Sequence, residues 1–300
     1  MNKTLNSPFL GLIICFATAT AMAQEVEPPK AAYIASGIPD SLKENANSVV
    51  RFSAVENDTR GPGKQELKVH EIVTILNEKA DDEAAIALPY NKKFGIVNSF
   101  EMKVYDADGK LLKKYHKSDM YDHAAESDET IVSDDRVLEI GHTVVNYPST
   151  VEYTFEYDKS SLLGLGDWTI EDEEQSVENS YYTLLVPDNM TFRYLDKNIN
   201  LAPQKTVAGS TINYSWQAHN LKAIKPEEGS KPWRVLPSII MMANQFEYYG
   251  QTGDASTWQN FGKWFQELKS DVSSLTPERE AEIRKMTDTC KTDKDKVTFL

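Results

Sequence analysis

Apolar and polar residues alternate with a period of two over much of the chain from about residue 49 to 221. In residues 151–157, four apolar side chains alternate with three polar ones, and residues 100–105 and 212–217 repeat this alternation. Such segments, rich in aromatic and β-branched residues, indicate half-buried strands. About ten to twelve strand candidates precede Leu221, which is more than one open sheet usually contains. The pattern predicts a mainly β fold, with an antiparallel β-sandwich over residues 49–225.

The pattern changes near residue 225. Three prolines within residues 225–237 predict an extended connector. Farther on, apolar residues recur at helical spacing and predict one apolar helical face that needs a partner surface: Trp258, Phe261, Phe265 and Leu268. Thr276 and Thr292 are placed to cap two further helices. We therefore expect residues 226–300 to be a connector and short helices that start a second domain, and we expect the natural protein to continue beyond Leu300.

The N-terminus resembles a secretory signal. Lys3 precedes a largely apolar run, and Ala21 and Ala23 are small residues at the positions that signal peptidase recognises. We predict a signal peptide over residues 1–23 and a tail over residues 24–48, with a short helix near 39–44. The mature protein should therefore be periplasmic or extracellular. After cleavage, Cys290 is the single cysteine, which excludes an internal disulfide.

The net charge restricts the partners of the protein. It has 46 acidic and 32 basic residues and a formal charge of −14. This charge disfavours nucleic acid, which repels acidic proteins. The mature chain contains no apolar run long enough for a transmembrane segment.

Three groups of residues are candidates for a metal-binding or catalytic site. Asp106–Gly109 resembles the start of a calcium loop, but Tyr115 stands where the loop needs glutamate, so a hairpin turn is favoured. The acidic run Glu171–Glu174 is interpreted as a solvated loop. Cys290 falls at a predicted helix end, without a following histidine, which is a poor position for a nucleophile.

The five histidines lack the spacing of a zinc site. They are His70, His116, His123, His142 and His219. A weaker metal candidate combines His116 and His123 with the nearby Asp119 and Asp122. We assign no catalytic residue, no cofactor and no metal ligand from these patterns.

Several segments, in order, resemble domain of unknown function 3857, which precedes a transglutaminase-like domain in exported bacterial proteins. They are VTILN (73–77), VYDADGK (104–110), SDDRV (133–137), NYPSTVEY (146–153), Trp168, SYYTLLVP (180–187) and WQAHNLKAIKPE (216–227). The helix at 258–268 also fits the family. The resemblance implies a papain-like Cys-His-Asp core in the following region. DTCK at 288–291 lacks the expected glycine and precedes the family's Lys-Val helix, so no catalytic residue transfers to it.

The first hypothesis is therefore an exported, non-catalytic β domain that accompanies an intramolecular transglutaminase-like domain, absent or incomplete in this chain. The alternative is a free-standing extracytoplasmic module for a glycan, peptide or protein ligand, which would use exposed aromatics such as Trp168 or Trp233. An enzyme whose site the sequence order hides is a third possibility.

Overall fold

The computed structural model describes residues 26–125, 134–160, 162–270 and 274–300, so the expected signal peptide lies outside the described residues. The strands are β1 (Ser48–Gly61), β2 (Lys64–Ile75), β3 (Ala85–Asn91), β4 (Gly95–Tyr105), β5 (Leu111–His116), β6 (Tyr121–Ala124), β7 (Asp135–Gly141), β8 (Ser149–Lys159), β9 (Gly166–Thr169), β10 (Gln175–Pro187), β11 (Phe192–Lys197), β12 (Gln204–Ala208), β13 (Thr211–Leu221), β14 (Ser238–Ala243), β15 (Gln245–Tyr248) and β16 (Gln251–Asp254).

The helices are short. The α-helices are α1 (Asp40–Lys43), α2 (Pro232–Val235), α3 (Trp258–Leu268), α4 (Pro277–Thr287) and α5 (Asp293–Phe299), and the 3₁₀-helices are Lys30–Tyr33, Ala35–Gly37, Glu78–Ala84 and Lys117–Asp119. Among the described residues, no helix is both long enough and apolar enough to span a membrane.

An eight-stranded sheet forms one layer of the fold, in the order β12-β13-β10-β1-β2-β8-β4-β5. Its neighbouring strands are antiparallel except for β1 and β10, which are parallel. The period-two pattern places Val50, Val73 and Val151 side by side on one face, which we call the inner face. All three valines are buried, so the alternation seen in the sequence decides which face carries the core.

Two three-stranded sheets, β3-β7-β6 and β11-β14-β9, cover the inner face. Trp168 on β9 packs against Tyr182 on β10, with ring centroids 5.7 Å apart, and Tyr182 also contacts Trp216. This confirms the predicted mainly β sandwich followed by short helices. The sandwich extends beyond the boundary expected at residue 225, however, because β14 is the central strand of the second small sheet and contributes the buried Ile239.

The segment expected to be an N-terminal tail is folded against the outer face of the large sheet. Ala32 packs on Phe52 and Ile72, and all three are buried. The guanidinium of Arg51 donates hydrogen bonds to the carbonyls of Ile34 and Ala31, each at 2.9 Å. The described part of residues 24–48 is therefore part of the fold, and α1 lies where a short helix was predicted.

Candidate functional site

The C-terminal hairpin and helix form a separate small apolar cluster. Phe246 on β15 and Trp264 on α3 are buried, and their rings meet edge to face with centroids 4.7 Å apart. Gly253 lies against Phe246, where an added Cβ would come within 2.3 Å of the ring. Thr257 begins α3 by accepting a hydrogen bond from the amide of Asn260 at 3.1 Å. The cluster therefore fixes the orientation of α3.

Two apolar side chains of α3, Trp258 and Phe265, do not belong to this cluster. Trp258 is 86% exposed and Phe265 is 46% exposed. The predicted apolar face is therefore only partly covered by this chain, since Trp264 makes the buried contact together with the partly buried Phe261 and Leu268. Tryptophan is usually well buried in folded proteins. We call Trp258 and Phe265 the α3 apolar surface, and we identify it as the candidate interaction surface.

Helix α5 also presents apolar groups to solvent. Val297 is 76% exposed, and Phe299 is 57% exposed. The helix begins at Thr292, whose hydroxyl accepts a hydrogen bond from the amide of Asp295, and the amide of Thr292 donates one to the carboxylate of Asp295. Helices α3 and α5 thus both expose bulky apolar residues.

The most connected polar group is Glu152, on the outer face of the large sheet. Its carboxylate accepts hydrogen bonds from Tyr33 and Tyr105, both at 2.7 Å, from His70 at 2.8 Å and from Lys103 at 3.1 Å. Burial alone would raise the pKa of Glu152, but the four donors outweigh it and lower the pKa to about 2. A carboxylate held ionised by four protein donors serves to anchor the N-terminal segment.

The other histidines each have an ordinary strand or loop partner. His116 lies 3.7 Å from Glu101, and His123 lies 3.3 Å from Glu139. His142 contacts the hydroxyl of Tyr115 at 2.9 Å, and His219 contacts the side chain of Asn179 at 3.0 Å. In the parts of the chain that the structure describes, no three His, Cys, Asp or Glu side chains are grouped closely enough to hold a metal ion.

The metal candidate near residue 119 has other contacts. Asp119 accepts a hydrogen bond from the amide of His116, and Asp122 pairs with Arg136 at 2.8 Å. The turn at Asp106 closes the β4–β5 hairpin, as predicted. Its carboxylate accepts hydrogen bonds from the amides of Asp108 and Lys110, and Gly109 takes the left-handed conformation that the turn requires.

Cys290 lies between α4 and α5 and is partly exposed. Its amide donates a hydrogen bond to the carbonyl of Thr287, which closes the end of α4. In the described chain, its thiol forms no hydrogen bond with a histidine. No geometry for a cysteine nucleophile is assembled there.

The two tryptophans proposed for ligand binding differ in exposure. Trp168 is 3% exposed and belongs to the core, so the expectation that it is an exposed binding aromatic is wrong. Trp233 is 60% exposed, and its ring has the Lys197 ammonium 4.3 Å and the Arg234 guanidinium 5.0 Å from its centroid. The acidic run is also not uniformly solvated, because Glu171 is only 3% exposed. That burial had no signal in the sequence.

Comparison with known families places these observations in context. The family model named Domain of Unknown Function with solved-structure structure (DUF3857) matches residues 61–225, more than half of the chain. The chain belongs to the DUF3857 family. The matched region begins at the end of β1 and includes β2 to β13, whereas the α3 apolar surface lies outside it. No curated protein sequence matches the chain.

Among solved structures, the fold resembles a Parabacteroides distasonis protein described as a "putative protease", with a TM-score of 0.65 and 12% identity. The match covers 84% of this chain and 49% of that protein, so the chain spans about half of its length. Aminopeptidase A of Legionella pneumophila matches with a TM-score of 0.34 and 13% identity, over 67% of this chain and 22% of that one. An M1 zinc metallopeptidase of Deinococcus radiodurans matches with a TM-score of 0.32 and 10% identity, over 70% and 46%. Of these three matches, the one to the Parabacteroides distasonis protein is close enough to show a shared fold.

Proposed function

We propose that this chain is the non-catalytic β-sandwich part of an exported transglutaminase-like or protease-like protein, and that α3 holds the catalytic domain in position. The observation that supports this function best is the α3 apolar surface. Trp258 and Phe265 are exposed although the helix that carries them is fixed by the burial of Trp264. Burying one large apolar side chain is worth roughly 1.5–3 kcal/mol, so covering this pair would supply a useful part of a domain interface.

The relatives support a two-part protein. This chain matches only about half of the Parabacteroides protein, whose description names protease activity for the whole. The DUF3857 resemblance implies a transglutaminase-like domain as the second part. The described chain offers no Cys-His pair in contact, which fits a supporting domain better than a catalytic one.

Hydrogen exchange can test the docking role. The gene is first sequenced past codon 300 to define any following domain, and the exchange of residues 258–268 is then compared in the chain alone and in the longer protein. We expect the longer protein to protect this segment, and the double variant Trp258→Ser, Phe265→Ser to lose that protection. Glu282→Ser, on the exposed surface of α4, is the matched control. A gene that ends at codon 300, or equal exchange in both proteins, would refute the proposal.

Export is part of the same proposal and is tested separately. The chain is expressed with its N-terminus intact in a Gram-negative host, and the protein is recovered from periplasm and cytoplasm. Edman sequencing of the periplasmic material should begin at Gln24. Material that remains in the cytoplasm and begins at Met1 would refute export.

Trp233 supports a second candidate function, a free-standing module for glycan or peptide ligands. An exposed tryptophan is a suitable platform for sugar rings or peptide side chains. Glycan-array and peptide-array binding by the chain alone, lost in Trp233→Ala and retained in Trp258→Ser, would favour this function. Binding that is lost in Trp258→Ser and retained in Trp233→Ala would instead favour docking through α3.

A further inference from the structure

A second feature, independent of the proposed docking role, lies on the inner face of the large sheet. A cavity of about 260 Å³ has Glu71 of β2 in its lining. Asp82 and Glu83 line it from the 3₁₀-helix that leads into β3, while residues 169–172 line it from the end of β9. Because β3 and β9 belong to different small sheets, the cavity opens where the two covering sheets leave the large sheet accessible.

The cavity is acidic and has no basic residue among those that line it. Glu71, Asp82, Glu83, Glu171 and Asp172 all contribute to the wall, and within the described residues none of the five forms an ion pair. The donors that reach these carboxylates are neutral. In the described chain, the negative charge of this wall is therefore not compensated by any direct contact with a basic side chain.

The carboxylates of Glu83 and Glu71 accept hydrogen bonds from neutral donors. Glu83 accepts hydrogen bonds from the hydroxyl of Ser48 at 2.8 Å and from the amide of Gln175. Glu71 accepts one from Ser53. Burial and, to a smaller extent, the nearby Glu83 raise the pKa of Glu71, and the Ser53 hydrogen bond opposes them, so that the pKa reaches about 7. The ionised forms of these groups are thus held in an unfavourable environment.

Glu171 provides an observation that does not depend on the clustering. It is 3% exposed and lines the cavity, yet its Oε2 atom has no hydrogen-bond partner among the described residues. Leaving a buried polar atom unpaired typically costs about 1–3 kcal/mol, and more for a charged group. Burial raises the pKa of Glu171 to about 7. A buried acceptor without a donor, on an acidic wall, is the arrangement expected of a site that receives a donor from a ligand.

The missing ligand group should be a cation that donates several hydrogen bonds. A metal ion would need closely grouped ligands, and the described residues contain no group of three suitable side chains. A primary ammonium donates up to three hydrogen bonds and tolerates acceptors that are farther apart. The cavity volume suits a short alkyl chain ending in such a group. We propose that this cavity binds a primary ammonium group, from either a small free amine or a lysine side chain.

Binding should depend on pH in a defined direction. The ammonium pairs with ionised carboxylates, so affinity should rise as Glu71 and Glu171 lose their protons. The other titratable groups that face the cavity are Asp82 and Glu83 on one wall, Asp172 on the other, and the phenol of Tyr153 near Glu71 and Glu83. One carboxyl with a pKa of about 7 implies roughly 30-fold stronger binding at pH 8 than at pH 5.5.

The test is an NMR titration of the full chain, with n-butylamine as the free amine and Nα-acetyl-lysine methylamide as the lysine side chain. Their neutral counterparts are n-butanol and the Nε-acetylated lysine derivative. Both amines should shift the backbone resonances of residues 169–175, and the neutral compounds should not. Stronger binding of the lysine derivative would identify a peptide or protein lysine as the natural source, whereas equal or weaker binding would identify a free amine.

Two variants test whether the amine binds at Glu171. Glu171→Gln should weaken binding at pH 8 by at least tenfold, while Glu173→Gln, an exposed neighbour that does not line the cavity, should leave it unchanged. The proposal is overturned if the wild-type protein shows no shift up to 100 mM amine. It is equally overturned if Glu171→Gln binds as tightly as the wild type, or if Ca²⁺ or Mg²⁺ shifts these resonances and the amines do not. The wild-type titration decides even where a variant fails to fold.

Discussion

Replacing Glu152 with glutamine tests whether the outer-face network stabilises the fold. The substitution keeps the size of the side chain but removes the charge that Tyr33, Tyr105, His70 and Lys103 share. Glutamine has a single carbonyl acceptor, and its amide group can only donate. At least one of the four donors must then lose its partner on the outer face.

The size of the effect follows from the pKa of Glu152. Its ordinary value is 4.5, and in the fold the four donors overcome burial and bring it to about 2. That difference corresponds to roughly 3 kcal/mol of stability from the ionised form, and the carboxylate is well buried, so solvent screening reduces it little. We expect Glu152→Gln to lower the free energy of unfolding by roughly 2–3 kcal/mol at pH 7.

The sign of the pH dependence is fixed by the lowered pKa. Stability from a depressed carboxyl pKa is present above the unfolded value, near 4.5, and is lost as the pH falls through the folded value, near 2. The gap between wild type and Glu152→Gln should therefore be constant from pH 7 to about pH 5 and should shrink steadily below that. The relevant window is pH 5 to 2.

Guanidinium chloride unfolding at pH 7, 5 and 3, followed by tryptophan fluorescence, measures this gap. Glu156→Gln is the matched control, because Glu156 is on the same strand and face but forms no ion pair in the described chain. We expect the control to change stability by less than about 0.5 kcal/mol. If Glu152→Gln behaves like the control at pH 7, or if the gap does not shrink at pH 3, the reasoning is refuted.

Three other substitutions test separate parts of the structure. Glu171→Gln should raise the free energy of unfolding by roughly 1–3 kcal/mol at pH 8 and by much less at pH 5, because the cost of a raised carboxyl pKa begins above the unfolded value, near 4.5, and grows until the pH passes the folded value of about 7. Urea unfolding at both pH values measures the difference. Arg51→Met should leave Glu178 without its partner and cost roughly 3–5 kcal/mol, with faster hydrogen exchange in residues 30–37. Trp264→Ala should cost roughly 3–5 kcal/mol of local stability in α3, measured as hydrogen exchange of residues 258–268, whereas Trp258→Ala should have little effect.

Each of these three predictions has an experimental result that would contradict it. A Glu171→Gln variant that is equally stabilised at pH 5 and pH 8 would show that ionisation is not the cause. Unchanged exchange in residues 30–37 after Arg51→Met would show that the buried guanidinium does not hold that segment. Equal effects of Trp264→Ala and Trp258→Ala would contradict the assignment of the buried and exposed faces of α3.

The strands of the sandwich could be predicted because their alternation reflects burial directly. Val151 and Tyr153 face the core, as their spacing indicates, and Asp106 closes a turn whose local hydrogen bonds are encoded in four consecutive residues. The parallel pairing of β1 with β10 could not be predicted, since it joins residues about 127 positions apart and leaves no local pattern. The same holds for β14, whose apolar run is equally compatible with a helix or a strand until its neighbours β9 and β11 are known.

The helix α3 shows what the helical pattern could not determine. Trp258, Phe261, Phe265 and Leu268 have the spacing of one apolar face, yet the neighbouring Trp264 makes the deepest contact. Periodicity identifies an apolar face but cannot determine which part of it the same chain covers. The exposed remainder, Trp258 and Phe265, is the part that we assign to a partner.

The carboxylates of the large sheet show most clearly why the acidic cavity could not be predicted from the sequence. Ile72 lies opposite Glu152 and Glu71 lies opposite Tyr153 in the register of β2 and β8, so the two glutamates point to opposite faces. Alternation alone establishes that difference. It does not reveal that tyrosine, histidine and lysine donors surround Glu152 and lower its pKa, while burial and a second carboxylate raise the pKa of Glu71. The four donors of Glu152 come from three segments that only the fold brings together, and the wall opposite Glu71 comes from the loop after β9. The same residue type is therefore an ionised structural anchor on one face and a carboxyl whose ionised form is disfavoured on the other, and the contacts across the sheet, not the spacing along the strand, decide which.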